Sequence, residues 1–229
     1  METLKEIFLL GVGHNTPVFI DLAEQCGYTV SGLYHYNDDR TGEMDHGVRI
    51  LGSFEDLFRS DHVRGRNFLL TMGDSRIRVT EAEKLRVREG NVPAVIHPTA
   101  VVSRFAQIAD GVCIGAFSHV QADTCIAQDT VILSGVNISH NNTIGKGCFI
   151  AGGSTVGAFT NVGDFVFIGQ GVLTISAKVE TIGDHAFIGA GSLVTNSINA
   201  NEIVVGRPAK ISSRCLRLIR TLRTCMPNF

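Results

Sequence analysis

The stretch ILSGVNISHNNTIGKGCFIAGG, residues 132–153, returns a branched apolar residue at every sixth position: Ile132, Ile138, Ile144 and Ile150. His140 follows one of them closely and is itself followed by two asparagines. Outward from this stretch the same phase holds at Val102, Ile108, Ile114, Val120 and Ile126 before it, and at Val156, Val162 and Ile168 after it. After a two-residue insertion it resumes at Ile182, Ile188 and Val194. The residue after each of these positions is Gly, Ala, Ser or Thr, except at Gln121 and Leu133. A helix of period 3.6 cannot gather such residues on one face, and a plain strand alternates with period two. A fixed longer period marks a stacked repeat. Six residues suit one short strand and one sharp corner, and three such sides close a triangular coil. The branched residues stack inside, and the small ones let the chain turn tightly. About five coils at roughly 4.8 Å each make a prism about 20–25 Å tall.

Residues 1–91 follow another grammar. KEIFLLGVG reads as a strand, and HNTPVFIDLAEQCG, residues 14–27, reads as a helix with Thr16 as its cap, Pro17 in its first turn and Gly27 at its end. YTVSGLYHY and RNFLLTMG read as further strands, Phe54 to Phe58 as a short helix and SRIRVTEAEKLRVREG as a longer one. Strand–helix–strand units predict a small Rossmann-like parallel sheet, with ligands beyond the carboxyl ends of its strands. That singles out Gly11, Gly13, His14 and Asn15 in the first loop, Asp38, Asp39 and Arg40 after the second strand, and Gly73 and Asp74 after the third. The predicted domains are thus 1–91, a Rossmann-like α/β unit; 92–211, a β-helix; and 212–229, a short helical tail.

The formal charge of -2 gives no broad pull toward nucleic acid or anionic membrane. No apolar run approaches the roughly 20 residues of a membrane span, and acids near the N-terminus argue against a signal peptide. Six scattered cysteines form no CxxC pair, so reduced thiols in a cytoplasmic protein are expected.

Taken together, the GVGH loop, IHPTAVVS (96–103), the repeat, GAGSLVT (189–195) and VVGRPAK (204–210) resemble the hexapeptide-repeat acetyltransferases. The similarity is to the bacterial subfamily that N-acetylates nucleotide-linked amino sugars, such as precursors of bacillosamine or N-acetylperosamine; sialic acid O-acetyltransferase-like proteins look similar. The resemblance implies a left-handed β-helix, a homotrimer, a nucleotide-linked amino sugar on the N-terminal half and acetyl-CoA along the prism, with no metal. It also implies that His140, in Ser139-His140-Asn141-Asn142, is the catalytic base, beside Asn141 where an acid is usual. Gly157, Ala158, Gly189 and Ala190 would line the cofactor path, and Arg207 or Lys210 would meet phosphates. The second histidine of some members falls on Phe149.

The chemistry asks for two things. The attacking amine must lose a proton, which a neutral imidazole accepts. The carbonyl oxygen must be stabilised as it gains charge, for which backbone N–H groups at Gly152 and Gly153 are candidates. Three competitors are a sugar O-acetyltransferase; a zinc hydratase, against which stand the repeat's histidines, His119, His140 and His185, widely spaced and without the close pair such a site uses; and a non-catalytic scaffold.

Overall fold

A computed structural model describes residues 5–212, so the tail expected at 212–229 lies, beyond its first residue, outside the described part. The chain divides into two compact units, the first running to Val95 and the second beginning at Ile96.

The first unit is built from β1 (Lys5–Leu10), α1 (Thr16–Gln25), β2 (Tyr28–His35), β3 (Met44–Asp45), β4 (Val48–Ser53), α2 (Phe54–Arg59), β5 (Phe68–Leu70) and α3 (Ser75–Val87). The sheet order is β3-β4-β2-β1-β5, parallel throughout except for the β3–β4 hairpin. Strands β1 and β5 are apolar at every central position, as buried parallel strands require. The order reverses between β1 and β5, which opens a crevice at their carboxyl ends. Strand β4 was not anticipated. Its sequence, VRILGS, alternates exposed and buried through its middle but is too short and too mixed to stand out beside β1.

Helix α1 also starts differently from expectation. Thr16 lies inside the helix, fully buried, and its hydroxyl accepts from the Gly13 N–H at 2.7 Å, reaching back into the loop instead of forward into the helix. In α2 the expected start is a full capping box: Ser53 Oγ accepts from Asp56 N–H, and the Asp56 carboxylate accepts from Ser53 N–H at 3.0 Å. Those bonds, first the backbone one and then the hydroxyl, hold the Asp56 carboxyl below the usual carboxylate range.

In the second unit each coil contributes a two-residue strand to each of three parallel sheets. The first face holds Val101–Val102, His119–Val120, Asn137–Ile138, Thr155–Val156, Leu173–Thr174 and Leu193–Val194. The second runs from Gln107–Ile108 to Thr181–Ile182, and the third from Val95–Ile96 to Ile203–Val205, closed by the antiparallel Lys210–Ile211. The sixfold positions point inward and are almost all buried; Ile138, Ile144, Ile150 and Val156 are completely so. The glycine following a rung is needed where coils meet closely: a Cβ on Gly157 would lie 2.5 Å from Ser176 N.

Two features of the prism escaped the periodicity. Thr174 occupies a rung, and its hydroxyl accepts from Gly157 N–H at 2.7 Å, replacing the backbone pairing that other coils make there. The two-residue insertion follows directly and widens the turn at 175–179. The position two before each rung is a second inward site, filled by Ser118, Thr124, Thr130, Val136, Asn142, Cys148, Ser154 and Thr160, all buried.

Replacing Ile144 with Ala should destabilise the prism by about 2–5 kcal/mol, because neighbouring coils cannot collapse into the gap. A urea midpoint within error of wild type would contradict that packing. The depressed Asp56 carboxyl stabilises the fold above the ordinary carboxylate range and ceases to do so as pH falls through its lowered value. The difference in melting temperature between wild type and D56N should therefore be present at pH 7 and shrink at pH 2.

Candidate active site

Coils of eighteen residues align the corners into three edges. The edge between the first and second faces carries His140 and Asn141, with Ala158 and Phe159 one coil on and Ser176 one coil further. Asn141 adopts the left-handed conformation (φ 57°), which asparagine tolerates and a corner demands. Its N–H donates to Ala122 O at 3.1 Å, fastening the corner to the preceding coil.

Within that corner His140 Nδ1 and Asn141 Oδ1 lie 2.8 Å apart. A carboxamide oxygen only accepts, so Nδ1 carries the proton and donates. Nε2 then holds the lone pair, and it has no hydrogen-bond partner among the described residues. The ring is exposed and stands perpendicular to that of Phe159, with centroids 5.2 Å apart. Phe159 is itself left-handed (φ 62°) and 56 % exposed, so its ring stands out beside the imidazole and does not enter the core. An oriented imidazole with a free Nε2 at an exposed edge can take a proton from a bound nucleophile.

Directly above, two backbone N–H groups are held by side chains. Gly157 N–H donates to Thr174 Oγ1, and Ala158 N–H donates to Ser176 Oγ at 3.0 Å. The expected residues Gly157 and Ala158 thus share the edge of His140. Gly152, Gly153, Gly189 and Ala190 do not: they form the edge between the third and first faces, where Arg207 Nη1 donates to Gly191 O at 3.3 Å. Gly153 and Gly191 are left-handed there, and a Cβ on either would meet nothing within 4 Å, so the edge is an open strip of backbone. Lys210 is exposed on the closing strand.

In the first unit, Gly11, Gly13, His14 and Asn15 form the β1–α1 turn. Gly11 has φ 103°, and a Cβ there would lie 2.5 Å from Thr71 Oγ1, whose hydroxyl donates to Gly11 O at 2.8 Å. Asn15 precedes α1 without capping it through its side chain, and His14 is exposed. Gly73 and Asp74 end the β5–α3 connection on the same side of the sheet; Asp74 Oδ1 caps α3 through the N–H groups of Arg76 and Ile77. Asp38, Asp39 and Arg40 form one 3-10 turn after β2. Arg40 is engaged by Glu43 and Asp45, which keeps its guanidinium firmly charged.

Two residues near that crevice escaped notice. His35 ends β2 and is buried, with Nδ1 3.2 Å from Asn37 O. Arg78 is buried in α3 and donates to Met72 O at 2.9 Å, tying the helix to the strand end. Neither sits in a glycine-rich or acidic pattern, so only the sheet topology marks them. Among the described residues no three His, Cys, Asp or Glu side chains converge as a metal site. No described helix is long and apolar enough to cross a membrane. Cys26, Cys113, Cys125 and Cys148 form no disulfide with one another.

Known proteins share this architecture. PerB from Caulobacter crescentus, in complex with CoA and GDP-perosamine, is 27 % identical and superposes with a TM-score of 0.84, covering 92 % of this chain and 99 % of that one. The acetyltransferase domain of PglB from Neisseria gonorrhoeae, in complex with acetyl coenzyme A, is 25 % identical, with a TM-score of 0.82 over 92 % of this chain and all of that one. In sequence, the UDP-3-O-acylglucosamine N-acyltransferase of Caulobacter sp. (strain K31) is 37 % identical over 114 residues, 48 % of this chain. That match spans 33 % of the relative, so the chain covers about a third of the length of the curated protein it matches. No family model matches. The expected α/β unit and left-handed β-helix are both present, and the chain is similar in fold and in sequence to hexapeptide-repeat acyltransferases that carry an N-terminal α/β unit ahead of the prism.

Proposed function

We propose that the chain moves an acetyl group from acetyl-CoA to the amino group of a nucleotide-linked amino sugar, a 4-amino-4,6-dideoxy sugar of surface-glycan biosynthesis. The observation that carries this reading is the His140–Asn141 pair, which leaves Nε2 unprotonated and unpartnered at an exposed edge. The amine adds to the thioester carbonyl carbon, Nε2 takes its proton, and the sulfur of CoA departs as thiolate with the electrons of the broken C–S bond. No covalent enzyme intermediate is needed, since a thiolate leaves readily. The likeness to PerB and PglB, which bind CoA with GDP-perosamine and acetyl coenzyme A respectively, supports the same donor and acceptor class here.

The residues suit an acetyl-CoA path. The strip formed by Gly153, Ala190 and Gly191 offers backbone without bulky side chains to a thin pantetheine chain, with Arg207 at its end for phosphate. The β1–α1 turn and the start of α3 suit the nucleotide part of the acceptor, because helix N-termini favour anions. Both substrates are cytoplasmic metabolites, which places the proposed reaction in the cytoplasm.

His140 and the glycine strip lie on different edges of one prism. A site that uses both needs two copies, one edge from each, and a closed threefold ring supplies three such pairs. We therefore assign a homotrimer to the working enzyme.

Acetyl-CoA with GDP-, dTDP- and UDP-linked 4-amino-4,6-dideoxy sugars, followed by thiol release, tests the activity. H140A should lower kcat about 10²–10⁴-fold while binding acetyl-CoA as wild type does; a variant that keeps its rate would remove His140 from the mechanism. Co-expressing H140A with A190W, each inactive alone, should restore about a quarter of the activity if sites form between copies. No recovery in mixed trimers would confine the site to a single chain.

A further inference from the structure

At Ser118, Thr130 and Ser154 the inward position two before a rung follows one pattern. A hydroxyl there donates to the carbonyl fifteen residues on and accepts from the N–H eighteen residues on, joining one coil to the next. Ser118 does so with Leu133 O and Val136 N, at 3.0 and 3.3 Å. Thr130 does so with Gly145 O and Cys148 N, at 2.8 and 3.0 Å. Ser154 does so with Gly169 O and Val172 N, at 2.7 and 3.2 Å.

Asn142 breaks that pattern in one half only. Its Oδ1 accepts from Thr160 N–H, eighteen residues on, at 2.7 Å. Its Nδ2 turns back within its own coil and donates to Ser139 O at 2.8 Å. The carbonyl it would otherwise have met, Gly157 O, receives the Thr160 hydroxyl at 3.1 Å. Asn142 is 1 % exposed, so neither bond competes with water.

The back-turned bond spans His140 and Asn141. It closes a ring through Ser139, His140, Asn141 and Asn142, the corner on which the imidazole stands. Its other end grips Thr160, the neighbour of Phe159, whose ring meets the imidazole edge. One buried carboxamide therefore ties the corner that carries His140 to the corner that carries its aromatic neighbour, beside a second bond to Ser139 O from Thr124 Oγ1 at 2.9 Å. We propose that Asn142 is a positioning residue that fixes His140 for proton transfer. The inference rests on the reading of His140 as the base.

Threonine fills the equivalent site in the coils on either side, at Thr124 and Thr160, so N142T should restore the ordinary cross-coil pattern and fold with a melting temperature within a few degrees of wild type. Because the Thr160 hydroxyl also reaches the carbonyl three residues back, N142V, with the donorless side chain of the equivalent buried Val136, is measured beside it and removes the Ser139 clip outright. The first readout needs no ligand: the ring nitrogens of His140, observed by long-range proton–nitrogen spectra at pH 8, should report one neutral tautomer protonated at Nδ1 in wild type and a mixture in N142V. The second is kinetic, with acetyl-CoA and the accepted member of the nucleotide-sugar panel: kcat should fall about 10–100-fold, as small misplacements of a reacting group do, with both KM values unchanged. N142S serves the same comparison with less bulk. N142V with wild-type kcat and a single Nδ1-protonated tautomer would overturn the positioning role. If wild type transfers acetyl to no acceptor while the tautomer shift on N142V persists, the clip stands and the acetyltransferase reading fails alone.

Discussion

The second unit depends on one constraint: each coil must hydrogen-bond to the next in register. Ser103 N–H meets Val120 O, Gln121 N–H meets Ile138 O, and Ser139 N–H meets Val156 O, at 2.9, 2.9 and 3.0 Å. Every such bond fixes a residue above its counterpart one coil away, so side chains stack in columns. Inside, the columns are branched rungs packed without water. At the corners they are left-handed residues, glycine where nothing is to be displayed and Asn141 or Phe159 where something is. The register that makes the core stable thereby decides which functional groups meet.

This explains how much was legible beforehand. The rungs announce themselves because burial tolerates only Ile or Val at almost every one of them. Thr174 does not, because its buried hydroxyl satisfies a backbone N–H that the widened turn leaves without its usual carbonyl. The α/β unit was legible where strands are uniformly apolar, as in β1, and not where an edge pairing lets exposed residues alternate, as in β4. Thr16 misled because a hydroxyl before an apolar stretch reads as a forward cap, while here it closes the preceding turn.

The site was legible in part. The histidine stands out through resemblance, not through spacing. Yet the period of eighteen contains information that counting recovers: His140 and Ala158 differ by one coil and must share an edge, whereas Gly152 and Gly153 cannot join them within one chain. Asn142 was hidden for a different reason. An asparagine in a turn-rich sequence looks like an exposed corner, and only its inward side chain distinguishes it from Asn141 beside it.

In the proposed reaction, the carboxamide beside the imidazole also bears on which nucleophile would be acetylated. A carboxylate partner would both orient the ring and offset the positive charge it gains; Asn141 Oδ1 orients without offsetting. A hydroxyl must surrender its proton as it attacks, so the charge on the ring develops in the transition state itself. A neutral amine attacks through its own lone pair and is relieved of a proton from an ammonium already acidified by bond formation. The second reaction asks less of the base, and a base that is aimed but not charge-compensated suits it. In the proposed reaction orientation would then carry more of the catalytic load, which is where the buried clip proposed for the corner would have its effect.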